Sequence, residues 1–211
     1  MMIAVVGSGG KTTLIKQMAG QFRAQGKSVL VTTSTHMFIE PYTLLTDDAT
    51  VIIEALERDG FVMAGVPEGE KIKSLSQETI DTACKHADVI LVEADGSKHL
   101  PLKYPNATEP VIPESVDEII VVCGLNALGQ KAEDVCFRLE LVKACLGIED
   151  DTTITAEHVQ KLVTEGYLKP LRAAYPNAKV TVRPRHDGSL HQRTVASLLQ
   201  NEQDVSVIQE A

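Results

Sequence analysis

The sequence predicts an α/β fold: three layers around a mostly parallel sheet, with a helical C-terminal portion. Two observations carry that expectation. Short continuous apolar runs recur along the chain, at residues 2–6 (MIAVV), 28–33 (SVLVTT), 88–96 (DVILVEADG) and 117–125 (DEIIVVCGL), as buried strands require. Segments with helical spacing lie between them. Composition agrees: hydrophobic residues make up 44% of the 211, aromatics only 4%, and tryptophan is absent. The core must therefore rest on Val, Ile, Leu and Ala, which suits strands covered on both faces.

The first strand, residues 2–6, runs straight into glycines. After them, Leu14, Ile15, Met18, Ala19 and Phe22 recur at helical spacing, and Gly26 ends that helix as a C′ residue. The next strand is SVLVTT, so strand, turn, helix and strand follow one another as a βαβ unit, whose crossover is expected to be right-handed. Residues 49–60 (ATVIIEALERDG) predict a short helix, and 61–75 a strand with an exposed turn. Residues 76–87 have helical spacing but a weak cap. Residues 97–114 hold four prolines and cannot be regular over most of their length. Residues 133–146 and 155–166 read as helices, 178–184 as a strand, 194–201 as a helix and 204–209 as a terminal edge strand. The pattern turns from strand-rich to helix-rich near Gly147, so residues 1–147 are taken as the core and 148–211 as a helix-rich part completing the same domain.

The formal net charge is −9. Such a chain is a poor general binder of nucleic acid, whose nonspecific affinity comes from Lys and Arg neutralising phosphates. It should also be repelled by anionic membranes. No run is long and apolar enough to span a bilayer, and the first residues lack the basic and apolar regions of a signal peptide. Cys84, Cys123, Cys136 and Cys145 form no C-x-x-C pair and read as reduced thiols of a cytoplasmic protein. No His/Cys cluster of the kind that holds zinc is visible.

An acidic chain that takes an anionic ligand needs a local positive site, and the stretch VVGSGGKTTL (residues 5–14) offers one. Glycines after a buried strand let backbone N–H groups converge on an anion, and the following helix adds its positive end. Lys11 can reach outer phosphates, and the Thr12 hydroxyl can meet Mg²⁺. Gly7, Ser8, Gly9, Gly10, Lys11, Thr12 and Thr13 are thus the candidate nucleotide-binding residues, and the sheet is of the P-loop NTPase type. The bland alternative is a glycine-rich turn followed by a chance Lys-Thr. The spacing G-x-x-G-K-T is two residues shorter than the standard G-x-x-x-x-G-K-[ST], and it resembles the loop of Mur-type ATP-dependent ligases.

The run at 88–96 ends in Glu93 and Asp95. In a doubly wound sheet, ligands sit outside the carboxyl ends of the strands. An acid there holds Mg²⁺ or orients an attacking water, and two acids two apart in extended chain share a face. Lys11, Glu93 and Asp95 are the candidate catalytic residues; for Asp95 a turn role before Gly96 stays open. Thr33, in the hydroxyl-rich TTSTH, joins Thr12, Glu93 and Asp95 as a candidate Mg²⁺ ligand, unless these threonines simply favour a strand. Lys98 and Lys103 lie in the proline-rich segment, which either covers an anion or is an ordinary solvated loop.

GSGGKTT, TTSTHM, VEADGSKHLPLKYPNATEPVIP and VVCGLNALGQ, in that order, resemble the YqeC family of selenium-dependent hydroxylase accessory proteins over about residues 3–140, with EADGS and EPVIP as the specific part. The resemblance implies a P-loop NTPase-like fold and a role in maturing a molybdenum hydroxylase that carries labile selenium. The partners it implies are a nucleotide and that hydroxylase or its cofactor. It also implies that Gly7 to Thr13 hold the nucleotide, that Glu93 and Asp95 are metal and water-positioning acids, that Lys98, Lys103 and Glu109 belong to the family's loop, and that Arg138 can reach the site. The late strand reads VTVRPRHDG, without the asparagine of an N-x-x-D guanine signature. The base is open between ATP and GTP, with ATP favoured. A homodimer across the nucleotide is also open. So are an ATP-dependent ligase or kinase acting on a small acid, and a nucleotide-gated carrier.

Overall fold

The computed structural model describes residues 1–201. The strands are β1 (Met2–Gly7), β2 (Val29–Thr33), β3 (His36–Phe38), β4 (Thr43–Leu45), β5 (Phe61–Glu68), β6 (Lys71–Lys73), β7 (Val89–Glu93), β8 (Leu102–Lys103), β9 (Glu118–Gly124), β10 (Cys136–Phe137) and β11 (Lys179–Arg185). The helices are α1 (Lys11–Ala24), α2 (Ala49–Asp59), α3 (Gln77–Ala83), α4 (Ala132–Val135), α5 (Leu139–Leu146), α6 (Ala156–Val163), α7 (Lys169–Ala174) and α8 (Leu190–Asn201). The edge strand expected at 204–209 lies outside the described residues.

The main sheet runs β11-β9-β1-β7-β2-β5-β6-β3, with β4 beside β5. Every pairing from β11 through β5, and that of β4, is parallel; only β6 with β5 and with β3 is antiparallel. The first two strands of the chain are not neighbours, because β7 lies between them. Register places Val5 opposite Glu93, Gly7 opposite Val122, Thr33 opposite Glu93, and Arg185 opposite Gly124. The turn glycines, the acid of β7 and the ends of β9 and β11 therefore share one edge of the sheet.

Side chains alternate cleanly across the central strands. Ile3, Val5, Val29, Val31, Leu91 and Val122 pack with Ile15 and Ala19 of α1 on one face. On the other face, Leu30, Val62 and Ile90 pack with α2 and α3. Ala4, Val6, Val121 and Val182 pack there with Val159, Leu162, Leu171 and Val195, so the cluster spans both sides of Gly147. Sheet and two helical coats make the three layers. Among the described residues no helix is long and apolar enough to cross a membrane.

Local sequence explains the ends. Gly60 closes α2 at φ 65, where a β-carbon would be strained. The cap of α3 is stronger than its sequence suggested, since Ser76 Oγ accepts the Thr79 N–H at 3.3 Å. Helix α6 begins in a reciprocal box between Thr155 and His158. The helix expected over 133–146 is broken. Cys136–Phe137 instead pairs with Leu102–Lys103 as a two-stranded parallel ribbon, and Arg138 turns the chain at φ 60 before α5. Its ion pair with Glu109, at 2.7 Å, holds it there. The helix expected over 155–166 runs on instead, through a π-helical turn at Thr164–Leu168 into α7.

Candidate functional site

At the carboxyl edge of the sheet lies an open cleft of about 850 Å³, lined by the glycine turn, the start of α1, Glu93, the turn after β7, and rim residues from β3, β6 and β10. The turn is shaped by what it touches. Gly7, at φ +93, has its β-position 2.1 Å from Val122 O, and Gly9, at φ +81, has it 2.6 Å from Gly124 N. Neither place can hold a side chain. Ser8 N–H donates to Val122 O at 2.9 Å, and its hydroxyl donates to Pro101 O at 3.0 Å. The turn is thus stitched to β9 and to the proline-rich segment. Gly10 caps α1 without a side-chain hydrogen bond, so the first-turn N–H groups stay open where Gly9 to Thr13 line the cleft.

Beneath the turn sits a buried charge cluster. Asp95, fully buried, accepts the Gly7 N–H at 2.8 Å. It pairs with Lys11 at 3.1 Å and Lys103 at 2.8 Å, and Tyr167 donates to it from 3.3 Å. Its Oδ1 faces Lys11 without hydrogen-bond alignment. Lys11 also donates to Gly7 O at 2.8 Å and Ser97 Oγ at 3.2 Å. Lys103 donates to Gly96 O at 2.6 Å and Glu109 at 3.1 Å. Burial pushes the Tyr167 hydroxyl well above its usual range, with the Asp95 charge adding to it. Burial alone would raise Glu109, yet Arg138 and Lys103 outweigh it and hold the carboxyl below its ordinary value.

The two acids after β7 have different neighbours. Glu93 lines the cleft and accepts the Thr12 hydroxyl at 2.8 Å. Burial raises its carboxyl above the usual value, against the opposing pull of Lys11 and Thr12. Asp95 turns under the glycines instead. Strand β7 ends at Glu93, so the alternation that would aim both acids at one target stops there. Thr33, expected beside them, is fully buried; its hydroxyl donates to Glu93 O at 2.8 Å and accepts the Thr35 N–H at 3.0 Å. It therefore braces the backbone behind Glu93. Thr12 and Glu93 together offer a hydroxyl and a carboxyl, hard oxygen donors of the kind Mg²⁺ takes with water completing its shell. Among the described residues no group of three or more His, Cys, Asp or Glu side chains is placed to hold a metal.

Sequence reasoning missed several neighbours of the site. Lys103 was singled out, in a loop left open between covering an anion and being solvated, but its burial against Asp95 was not foreseen. Tyr167 comes from 72 positions away and gave no signal. Phe38, Lys71 and Phe137 of the rim were also unforeseen, as was Arg185, which packs on Gly10 and donates to Gln17 at 2.9 Å.

Comparison with known proteins adds a family. The family model described as YqeC protein matches residues 3–140. A relative from Escherichia coli (strain K12), described as uncharacterized protein YqeC, is 34% identical over 171 residues, covering 77% of this chain and 67% of the relative. Among solved structures, the MinC:MinD cell division protein complex of Aquifex aeolicus aligns over 90% of this chain and 84% of that one, with TM-score 0.37 and 13% identity. That likeness is too slight to bear on the site. The matched segment holds the glycine turn, Glu93, Asp95 and the proline-rich loop, and by the model and the relative together the chain belongs to the YqeC family.

Proposed function

We propose that the cleft binds a nucleoside triphosphate with Mg²⁺ and hydrolyses it slowly, as the working step of an accessory protein in the maturation of a selenium-dependent molybdenum hydroxylase. One observation carries the nucleotide reading. The open N–H groups of the first turn of α1, the Lys11 head, and the Thr12–Glu93 pair all converge beside a turn that only glycine can form. Backbone N–H groups take phosphate oxygens, and Lys11 supplies positive charge at their outer end. Thr12 and Glu93 would hold Mg²⁺, which when bound neutralises charge that develops on the phosphates. Asp95 keeps Lys11 in place and anchors Gly7. Glu93, facing the cleft, is the group that would orient an attacking water.

Residues 148–211 are read as completing the same domain, because β11 extends the sheet beside β9. The hydroxylase role comes from the family likeness alone. A second reading, an ATP-dependent ligase or kinase acting on a small acid, is favoured by Lys71 and Lys98, two cations that line the cleft.

The test is calorimetry of ATP and GTP, with and without Mg²⁺, on wild type and Lys11→Ala, with phosphate release followed on the same samples. Mg²⁺-dependent binding lost in the variant is the expected result, and the tighter nucleotide identifies the base. Undiminished binding in Lys11→Ala would overturn the site.

A further inference from the structure

We infer that the cleft has a second occupant: a small acid bearing a phosphate or carboxylate, held by the Lys71 and Lys98 ammonium groups, which sit over the rings of Phe38 and Phe137. The inference rests on the nucleotide reading of the glycine turn, since it assigns the part of the cleft which that reading leaves over.

Three carboxylates around this wall already have cationic partners. Glu40 is paired with Lys16 at 2.6 Å, Glu68 with His36 at 2.7 Å and Lys73 at 3.5 Å, and Glu109 with Lys103 at 3.1 Å and Arg138 at 2.7 Å. Lys71 and Lys98 have no carboxylate within ion-pair reach among the described residues. Lys71 lies over the Phe38 ring at 4.8 Å, and Lys98 over Phe137 at 5.4 Å. A ring face steadies an ammonium without cancelling its charge. In a chain of net charge −9, two such cations on one concave surface make a local field for an anion.

The backbone of the turn after β7 is a second, independent sign. Lys98 and His99 stand consecutively at φ 47 and φ 63, a conformation that costs non-glycine residues energy and collects at binding sites. Its effect is to send neighbouring side chains opposite ways. Lys98 goes to Phe137, while the His99 ring stacks on Phe38 at 5.7 Å with the planes 21° apart. One strained turn thus joins the two aromatic patches into one wall. The cleft, about 850 Å³, lies at the roomy end of small-molecule sites, which span about 300–1,000 Å³.

The test uses the intact protein and a Lys71→Ala/Lys98→Ala variant, both saturated with Mg²⁺ and a non-hydrolysable nucleotide. Inorganic phosphate and malonate are then titrated in as probes of the two acid types. Wild type should bind one equivalent of at least one probe. The variant should bind it at least tenfold more weakly, with nucleotide affinity unchanged within twofold. Three results would overturn the inference: no uptake of either probe by saturated wild type, probe binding by the variant that is less than tenfold weaker than by wild type, or a tenfold loss of nucleotide affinity in the variant, which would make the wall part of the nucleotide's own site. If wild type binds no nucleotide, the proposed function fails separately. The second site then stands if Lys11→Ala protein binds a probe that the double variant does not, and falls if it does not.

Discussion

The floor of the cleft and its rim are held by different forces. On the floor, Lys11, Asp95 and Lys103 are 3%, 0% and 3% exposed, and their charges answer one another inside the fold. On the rim, Phe38 is 46% exposed, and its contacts are a histidine ring and a lysine head. The floor is continuous with the core, so changing it should change stability and binding together. The rim is fixed only by ring faces and a strained turn, so changing it should alter what binds and leave the fold alone.

The largest expected effect tests the floor. Asp95→Ala takes from Lys11 its carboxylate partner and leaves Lys103 with Glu109 alone, and breaking a buried charge pair typically costs about 3–5 kcal/mol. Urea unfolding should show a loss of that order; a shift under about 1 kcal/mol would mean the lysines find water, and the contrast with the rim would collapse.

A smaller effect sharpens the contrast by pH. Glu93 titrates above its ordinary 4.5 because burial disfavours its ionised form. Its contribution to stability is therefore full below the unfolded value and is lost as pH rises through the folded one. Compared with Glu93→Gln, wild type should become relatively less stable over that interval and then level off. Mg²⁺-dependent binding, for which we propose the ionised carboxylate as a ligand, should move the other way and strengthen with pH in wild type only. Glu109, held low by Arg138 and Lys103 after burial is overcome, has the reverse sign. Its contribution is present above the unfolded value and disappears as pH falls through the folded one.

The smallest effect belongs to the rim. Phe38→Ala should change unfolding free energy by no more than about 0.5 kcal/mol, as for exposed positions generally. A larger loss in the same urea titration would show that the rim supports the fold after all.

The sheet was legible because its central strands are covered on both faces, which forces unbroken apolar runs such as residues 2–6 and 117–125. The glycine turn was legible from its place between such a strand and an amphipathic helix. Strand order was not: nothing in residues 1–33 announces that β7 would separate β1 from β2. The partners of Asp95 were hidden for a similar reason. Lys103 lies in a proline-rich segment whose path is set by distant contacts, Pro101 O receiving Ser8 Oγ and Gly124 N. The break at Arg138 escaped because helical spacing continued through residues 133–146, and only the ribbon with β8 overrides it. Propensity yields to such pairing.

The position of β1 has a consequence for biosynthesis. Among the described residues its sheet partners are β7 and β9, both far along the chain from it. On the ribosome, β1 is made before both and has neither to lie against until residues 89–93 have emerged, and no second one until 118–124. Chains fold from the N-terminus as they appear, yet here this apolar segment must wait with its edges bare. The glycine turn, which needs Val122 and Gly124 against it, can take shape only after β9 has been translated. Long-range parallel pairing of this kind slows folding, and a nascent YqeC chain stalled before β9 should be a client for chaperones.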